Sequence, residues 1–249
     1  MIDSLALLLK ELRLPAFGRH YQGLWQKAVD EGWSHTDYLA ALCEYELADR
    51  YQRRTQKWLK EAAINVSKTL ATLELERFSV KNKALLAKLQ QDNQWVHHAE
   101  NVLLMGPSGT GKTHIASALL HTLVEQGIRC KLFPAVALVQ HLQQAKRDLE
   151  LMAAMTKLDK YRAIVIDDIG YVKKTDAETQ VLFEFIAHRY ESGSLIITAN
   201  QPFSQWDSIF PDSMMTVAAV DRLIHHASIM ELEGGRYRIE QQRQLESKQ

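Results

Sequence analysis

The sequence has only two cysteines, Cys43 and Cys130, far apart and in no metal-ligand spacing. They suggest neither a disulfide framework nor a thiolate metal site, and a reducing, cytoplasmic compartment is the simpler expectation. Excess charge is missing as well: Lys+Arg is 30 and Asp+Glu is 30. A neutral chain cannot coat nucleic acid by bulk charge, so any DNA-binding surface must be a local patch. Long hydrophobic runs are also absent. The stretch Ser4 to Leu9 is closed by Lys10 and Glu11, too short for a signal segment, and nothing approaches roughly 20 apolar residues in a row. No membrane segment is expected. What is there is ordinary globular material, 46% hydrophobic and 24% charged over 249 residues, enough for one large domain or two unequal ones.

Two textures divide the chain. Up to Arg77 apolar residues recur at helical spacing. Leu5, Leu8, Leu9 and Leu12 form one stripe, ended by Pro15. Ser34 then caps a long helix through Leu39, Leu42, Cys43, Leu47 and Tyr51 to Trp58, Leu59 and Ala62. Between Phe78 and Glu100 the pattern loosens into a linker, helical in part through Leu85, Leu86 and Leu89. From Asn101 short apolar strands alternate with amphipathic helices: strands at Val102–Met105, Ile128–Phe133, Ala163–Ile166 and Ser194–Thr198, helices at Lys112–Gln126, Ala135–Leu149 and Thr175–Glu191. This alternation predicts an α/β fold with a parallel sheet flanked by helices. The expected organisation is a helical domain over 1–77, a linker over 78–100, the α/β domain over 101–239 and a frayed polar tail over 240–249.

The segment Gly106-Pro107-Ser108-Gly109-Thr110-Gly111-Lys112-Thr113 fits G-x-x-x-x-G-K-[ST] at every fixed position, after a strand and opening a helix. Glycines let successive backbone N–H groups curl around phosphate oxygens, and the following helix points its positive end at the same anion. Lys112 is placed to reach the terminal phosphates, and the Thr113 hydroxyl to complete a Mg2+ shell. His114 is counted with this ATP-binding segment. A second element, Ala163-Ile-Val-Ile-Asp167-Asp168, is an apolar strand ending in two carboxylates at the sheet edge where ligands collect. Asp167 suits Mg2+, and Asp168 suits orienting or deprotonating the attacking water; an ordinary Asp-rich turn is the competing reading. A third strand, Leu195-Ile-Ile-Thr-Ala-Asn200, ends in an amide able to hydrogen-bond that water or the terminal phosphate.

These three elements resemble Walker A, Walker B and sensor 1 of an AAA+ ATPase. More narrowly, the run from Ala99 to Ala116 and Ile166-Asp-Asp-Ile-Gly-Tyr171 resemble the IstB-like transposition helper family, close to DnaC-type helicase loaders. The resemblance covers essentially the whole chain. It implies a P-loop AAA+ ATPase domain preceded by a small all-helical domain, with ATP and Mg2+ as cofactors. It further implies ATP-dependent self-association on double-stranded DNA and a cognate transposase as partner. Val220-Asp-Arg-Leu223 is similar to the segment carrying the arginine finger in this group, which makes Arg222 the candidate. Two departures are visible. Many AAA+ proteins have Asp-Glu where this chain has Asp167-Asp168, so slow intrinsic turnover is expected. Too few residues follow Asn200 for a full helical lid, and Arg236 and Arg238 are no more than guesses for the lid's sensor arginine.

Arg50, Arg53, Arg54, Lys57 and Lys60 fall at steps of three and four, so they share a helix face flanked by Tyr51 and Trp58. Arg50, Arg53, Arg54 and Lys57 are the candidate DNA-binding residues; the alternative is a solvated face paired with Glu46, Asp49 and Glu61. The pairs His97-His98 and His225-His226 are read as poor chelates, since neighbours on a helix point different ways. Trp25, Trp33, Trp95 and Trp206 are read as packing anchors. Other functions remain open: a helicase loader, an adapter that binds ATP without hydrolysing it, and a small-molecule kinase.

Overall fold

Apolar residues at helical spacing produce the first three elements, α1 (Ile2–Glu11), α2 (Pro15–Glu31) and α3 (His35–Ala62). The computed structural model describes residues 2–170, 175–202, 205–206 and 213–233. The tail over 240–249, Tyr171, Arg236 and Arg238 lie outside the described residues. Pro15 begins α2, where its fixed φ suits the first turn and its missing N–H costs nothing. Gly32 closes the helix at φ 66°, and the Trp33 N–H returns to the Ala28 carbonyl at 2.8 Å. Ser34 caps α3 as expected: its hydroxyl accepts the Asp37 N–H at 3.1 Å, and the Asp37 carboxylate accepts the Ser34 N–H at 3.2 Å.

The chain divides into two compact units between Lys57 and Trp58, inside α3. In the first, Leu9, Ala16, Leu24, Ala28 and Leu42 are buried between the helices. The buried carboxylate of Glu46 accepts the Ala16 N–H at 2.9 Å and the Arg50 Nε–H at 2.8 Å.

The second unit includes the segment expected as a linker. It holds α4 (Val80–Gln91) and α5 (Gln94–His97), whose Leu86, Leu89, Trp95 and Val96 are buried in the core. Trp58, Leu59, Ile64, Leu70, Leu73 and Phe78 pack against the same cluster. Apolar burial therefore joins to the α/β body both 58–77, expected in the helical domain, and 78–100, expected as a linker.

That body contains β1 (Asn101–Met105), α6 (Lys112–Glu125), β2 (Cys130–Pro134), α7 (Ala135–Arg147), α8 (Leu151–Leu158), β3 (Ala163–Asp167), α9 (Asp176–Arg189), β4 (Ser194–Ala199), α10 (Ser213–Ile224) and β5 (Ala227–Glu231). The strands form one sheet in the order β2-β3-β4-β1-β5, with every pairing parallel. Alternation sorts side chains to two faces. Val102, Leu104, Val165 and Ile196 join the cluster with α4, α5 and α6, whereas Leu103, Met105, Ile164, Ile166 and Ile197 join the one with α7 to α10. Burial on both faces is why these strands read as nearly continuous apolar runs. α8 and β5 were not legible in sequence. α8 follows α7 with no glycine or proline between them, and β5 is a short edge strand recognisable only through its pairing with β1.

Candidate nucleotide-binding site

Because the five strands of the sheet, among the described residues, are parallel, the residues that follow them gather at one edge. β1 leads into the glycine loop, β3 ends at Asp167 and β4 precedes Asn200. β1 and β4 are paired, Leu104 opposite Thr198 and Met105 opposite Ala199, so the loop starts beside the Asn200 end.

The loop backbone requires its glycines. Gly106, Gly109 and Gly111 have φ of 143°, 88° and 96°. A Cβ on Gly106 would lie 2.2 Å from the Leu232 carbonyl oxygen, because the Leu232 N–H closes onto the Met105 carbonyl at 2.7 Å. Gly111 caps α6, and Lys112 and Thr113 occupy its first turn. The Lys112 ammonium is buried and donates to the carbonyls of Gly106 at 2.6 Å and Pro107 at 2.8 Å. Burial lowers its pKa, and the charges of Asp168 and Asp167 oppose that shift. The Thr110 hydroxyl donates to the Pro107 carbonyl at 2.9 Å, which braces the loop from within.

The acidic pair diverges in environment. Asp167 accepts the Thr113 hydroxyl, 3.0 Å to Oδ1 and 3.2 Å to Oδ2, so the two oxygens expected to hold a divalent cation are already adjacent. A hydroxyl beside a carboxylate is a hard, all-oxygen donor set, which fits Mg2+. Asp168 is left-handed at φ 63°, an uncommon conformation for a residue with a side chain. The Asn200 amide donates to its Oδ1 at 2.6 Å.

Sequence reasoning missed Thr198. Its buried hydroxyl donates to Asp167 Oδ1 at 2.7 Å and accepts the Asp168 N–H at 2.7 Å. The available signal was a polar residue within an apolar strand, two positions before Asn200 and hence on the same face.

Other expected site residues are placed elsewhere. Ser108 is exposed on the loop. His114 is engaged outside the loop: its Nε2 meets the Thr69 carbonyl at 2.9 Å and the Thr72 hydroxyl at 3.2 Å. Arg222 is in the last turn of α10, toward the strand-entry edge and away from the glycine loop of its own chain. Its guanidinium lies 5.3 Å from the Phe183 ring centre and donates to the Ala218 carbonyl at 3.0 Å. On α3, Arg50 pairs with Glu46 and donates to the Arg13 carbonyl at 3.0 Å. Arg53 pairs with Asp49 at 2.6 Å, while Arg54 lies over Tyr51 and Lys57 is exposed. Trp95 and Trp206 are buried anchors, but Trp25 is half exposed against the edge of Tyr38. Cys130 is buried in β2, which pushes its thiol up to about 12 and leaves it inert.

A glycine-rich phosphate loop, an acidic strand end and a polar strand end on a β2-β3-β4-β1-β5 parallel sheet define a P-loop nucleotide-binding protein of the AAA+ class. Solved structures agree on the fold: the DnaC helicase loader superposes with a TM-score of 0.54 at 20% identity, covering 67% of this chain and 97% of that one. AMPPCP-bound DnaA of Aquifex aeolicus superposes at 0.55 with 15% identity, covering 74% of this chain and 56% of that one. The chain belongs to the family of IstB-like ATP binding proteins, whose profile matches residues 7–245. An insertion sequence ATP-binding protein of Sinorhizobium fredii is 43% identical over 234 residues, 94% of this chain and 78% of that protein. The IS21 ATP-binding protein of Pseudomonas aeruginosa is 31% identical over 248 residues, 97% of this chain and 91% of that protein.

Proposed function

We propose that this chain is a DNA-binding AAA+ regulator that hydrolyses ATP with Mg2+, assembles as a homo-oligomer on duplex DNA and assists the transposase of an insertion sequence. The observation that carries the proposal is the hydrogen-bonded set of Thr113, Asp167, Thr198, Asp168 and Asn200 beside the glycine loop. In this reading the loop amides and Lys112 hold the phosphates, and Thr113 and Asp167 supply oxygens to the cation. Bound Mg2+ supplies neutralisation of charge on the phosphoryl oxygens. Asp168, held by Asn200, orients the attacking water and accepts its proton. Thr198 positions both carboxylates. Arg222 is in the last turn of the helix that leads into the start of β5, at the edge opposite the loop, and is read as a guanidinium offered to a neighbouring subunit. The insertion-sequence context of the relatives supports the transposase as partner.

DNA contact is assigned to the exposed α3 face that carries Arg50, Arg53, Arg54 and Lys57. Arg50 and Arg53 also pair with Glu46 and Asp49. The test is ATP turnover with and without long duplex DNA, followed on the same samples by light scattering. Turnover and ATP-dependent growth in particle size, both raised by duplex, are expected. ATP binding with no turnover under any condition would leave an adapter; no ATP binding would sink the site assignment.

A further inference from the structure

Glu191, His225 and His226 sit at the strand-entry edge, opposite the phosphate loop. Glu191 follows α9 and precedes β4, and the histidines form the turn between α10 and β5. The sequence-based objection to the histidine pair assumed a helix, on which neighbours diverge. α10 ends at Ile224, so the pair lies in a turn, with ring centres 4.1 Å apart. Glu191 takes a left-handed φ of 56° two residues past the end of α9. One ligand atom from each of the three residues lies within 4.8 Å of the others.

We propose that Glu191, His225 and His226 form a binding site for a divalent transition-metal ion of the zinc class, separate from the nucleotide site. Two imidazole nitrogens and one carboxylate oxygen form a three-ligand set of the kind zinc accepts with water in the fourth position. Hard cations such as Mg2+ and Ca2+ prefer all-oxygen sets, so the donor chemistry discriminates against the cation of the phosphate site. Ligand atoms on a tetrahedral zinc stand roughly 3.4 Å apart, given bonds of about 2.0–2.1 Å, so modest rotation of exposed side chains closes the set. The Tyr190 hydroxyl lies 3.0 Å from His225 Nδ1. When Nδ1–H donates to that oxygen, Nε2 keeps its lone pair for metal, the outer contact that commonly orients ligating histidines. A bound ion ties the turn after α9 to the turn after α10. It thereby fixes the last turn of α10, which carries Arg222.

The test uses the full chain without an affinity tag and zinc titrated against a chromophoric chelator at neutral pH. One ion per chain is expected, not displaced by excess Mg2+. Affinity should fall at least about tenfold in His225→Ala/His226→Ala and in Glu191→Gln. His97→Ala/His98→Ala should leave it unchanged. Zinc should raise the unfolding temperature of the parent but not of the His225→Ala/His226→Ala variant, a readout independent of ATP chemistry. All the altered side chains are exposed, so folding is not at stake. The proposal is overturned if the parent shows no saturable site, if parent and double variant bind zinc alike, or if Mg2+ displaces it.

Discussion

At Thr198 a single hydroxyl serves both members of the acidic pair, donating to the Asp167 carboxylate and accepting the Asp168 N–H. Thr198→Val keeps the shape and removes both bonds. It takes the hydroxyl away from the half-buried Asp168 N–H and leaves the Asp167 carboxylate less firmly aimed. Turnover should fall about ten- to a hundredfold, and the Mg2+ concentration needed for tight ATP binding should rise, as when an outer-shell partner of a metal ligand is lost. Thr198→Ser should restore both. Equal behaviour of the Val and Ser variants would show that the hydroxyl does not position the pair. The readouts are steady-state ATPase kinetics and nucleotide titration over a Mg2+ series.

At the scale of elements, the end of α3 is held to the sheet by one carboxylate. Glu61 receives Arg129 through Nη2 at 2.7 Å and Nε at 3.0 Å, and the Tyr161 hydroxyl at 2.8 Å. Lys160 approaches it at 3.6 Å. Burial raises the pKa of Glu61, but hydrogen bonds from Arg129 and Tyr161 and the charges of Arg129 and Lys160 outweigh it, so the carboxyl ends below its ordinary 4.5. A depressed folded-state pKa contributes stability that is complete above the unfolded value and is lost as pH falls through the folded one. Glu61→Gln weakens the charge-assisted hydrogen bonds from Arg129 and Tyr161 and should cost about 1–3 kcal/mol at neutral pH, seen as a lower urea midpoint. The difference from the parent should shrink as pH drops below 4.5. A gap that is constant with pH would place the effect in packing. Earlier on the same helix, Arg54→Ala/Lys57→Ala should flatten the log–log salt dependence of duplex binding by about 0.9 per residue, similarly for all sequences. Anisotropy over a salt series checks this, and an unchanged slope would move the DNA surface elsewhere.

For the whole molecule, the parallel sheet separates two edges. The phosphate loop, Asp167, Asp168 and Asn200 share one edge, and Arg222 belongs to the other. Under the proposed function, a complete hydrolytic site would draw on two chains. Arg222→Ala should bind ATP normally yet lose turnover in the assembled state, and Lys112→Ala should lose ATP binding. Mixing them should recover part of the activity, because an intact pocket can meet an intact arginine across a subunit boundary. Mixtures that co-assemble without any recovery would rule out an arginine acting in trans.

Several features were decided locally, and these the sequence by itself determined. The glycine loop, the acidic strand end and the alternation of strand and helix each depend on residues within a few positions of one another. Backbone freedom, charge and periodicity are short-range properties. The Ser34 cap was legible for the same reason. Other features needed contacts between distant segments, and only the tertiary structure decided them. Thr198 became part of the site because β4 lies beside both β1 and β3. Residues 58–100 joined the second unit because their apolar side chains found a core built mainly from residues far along the chain. Arg50 and Arg53 were half neutralised by Glu46 and Asp49, which a helical projection permits but cannot choose. His225 and His226 met Glu191 only because a helix ended one residue before them. A one-dimensional pattern states what each residue can do; which partner it finds depends on chain segments brought together by burying apolar surface.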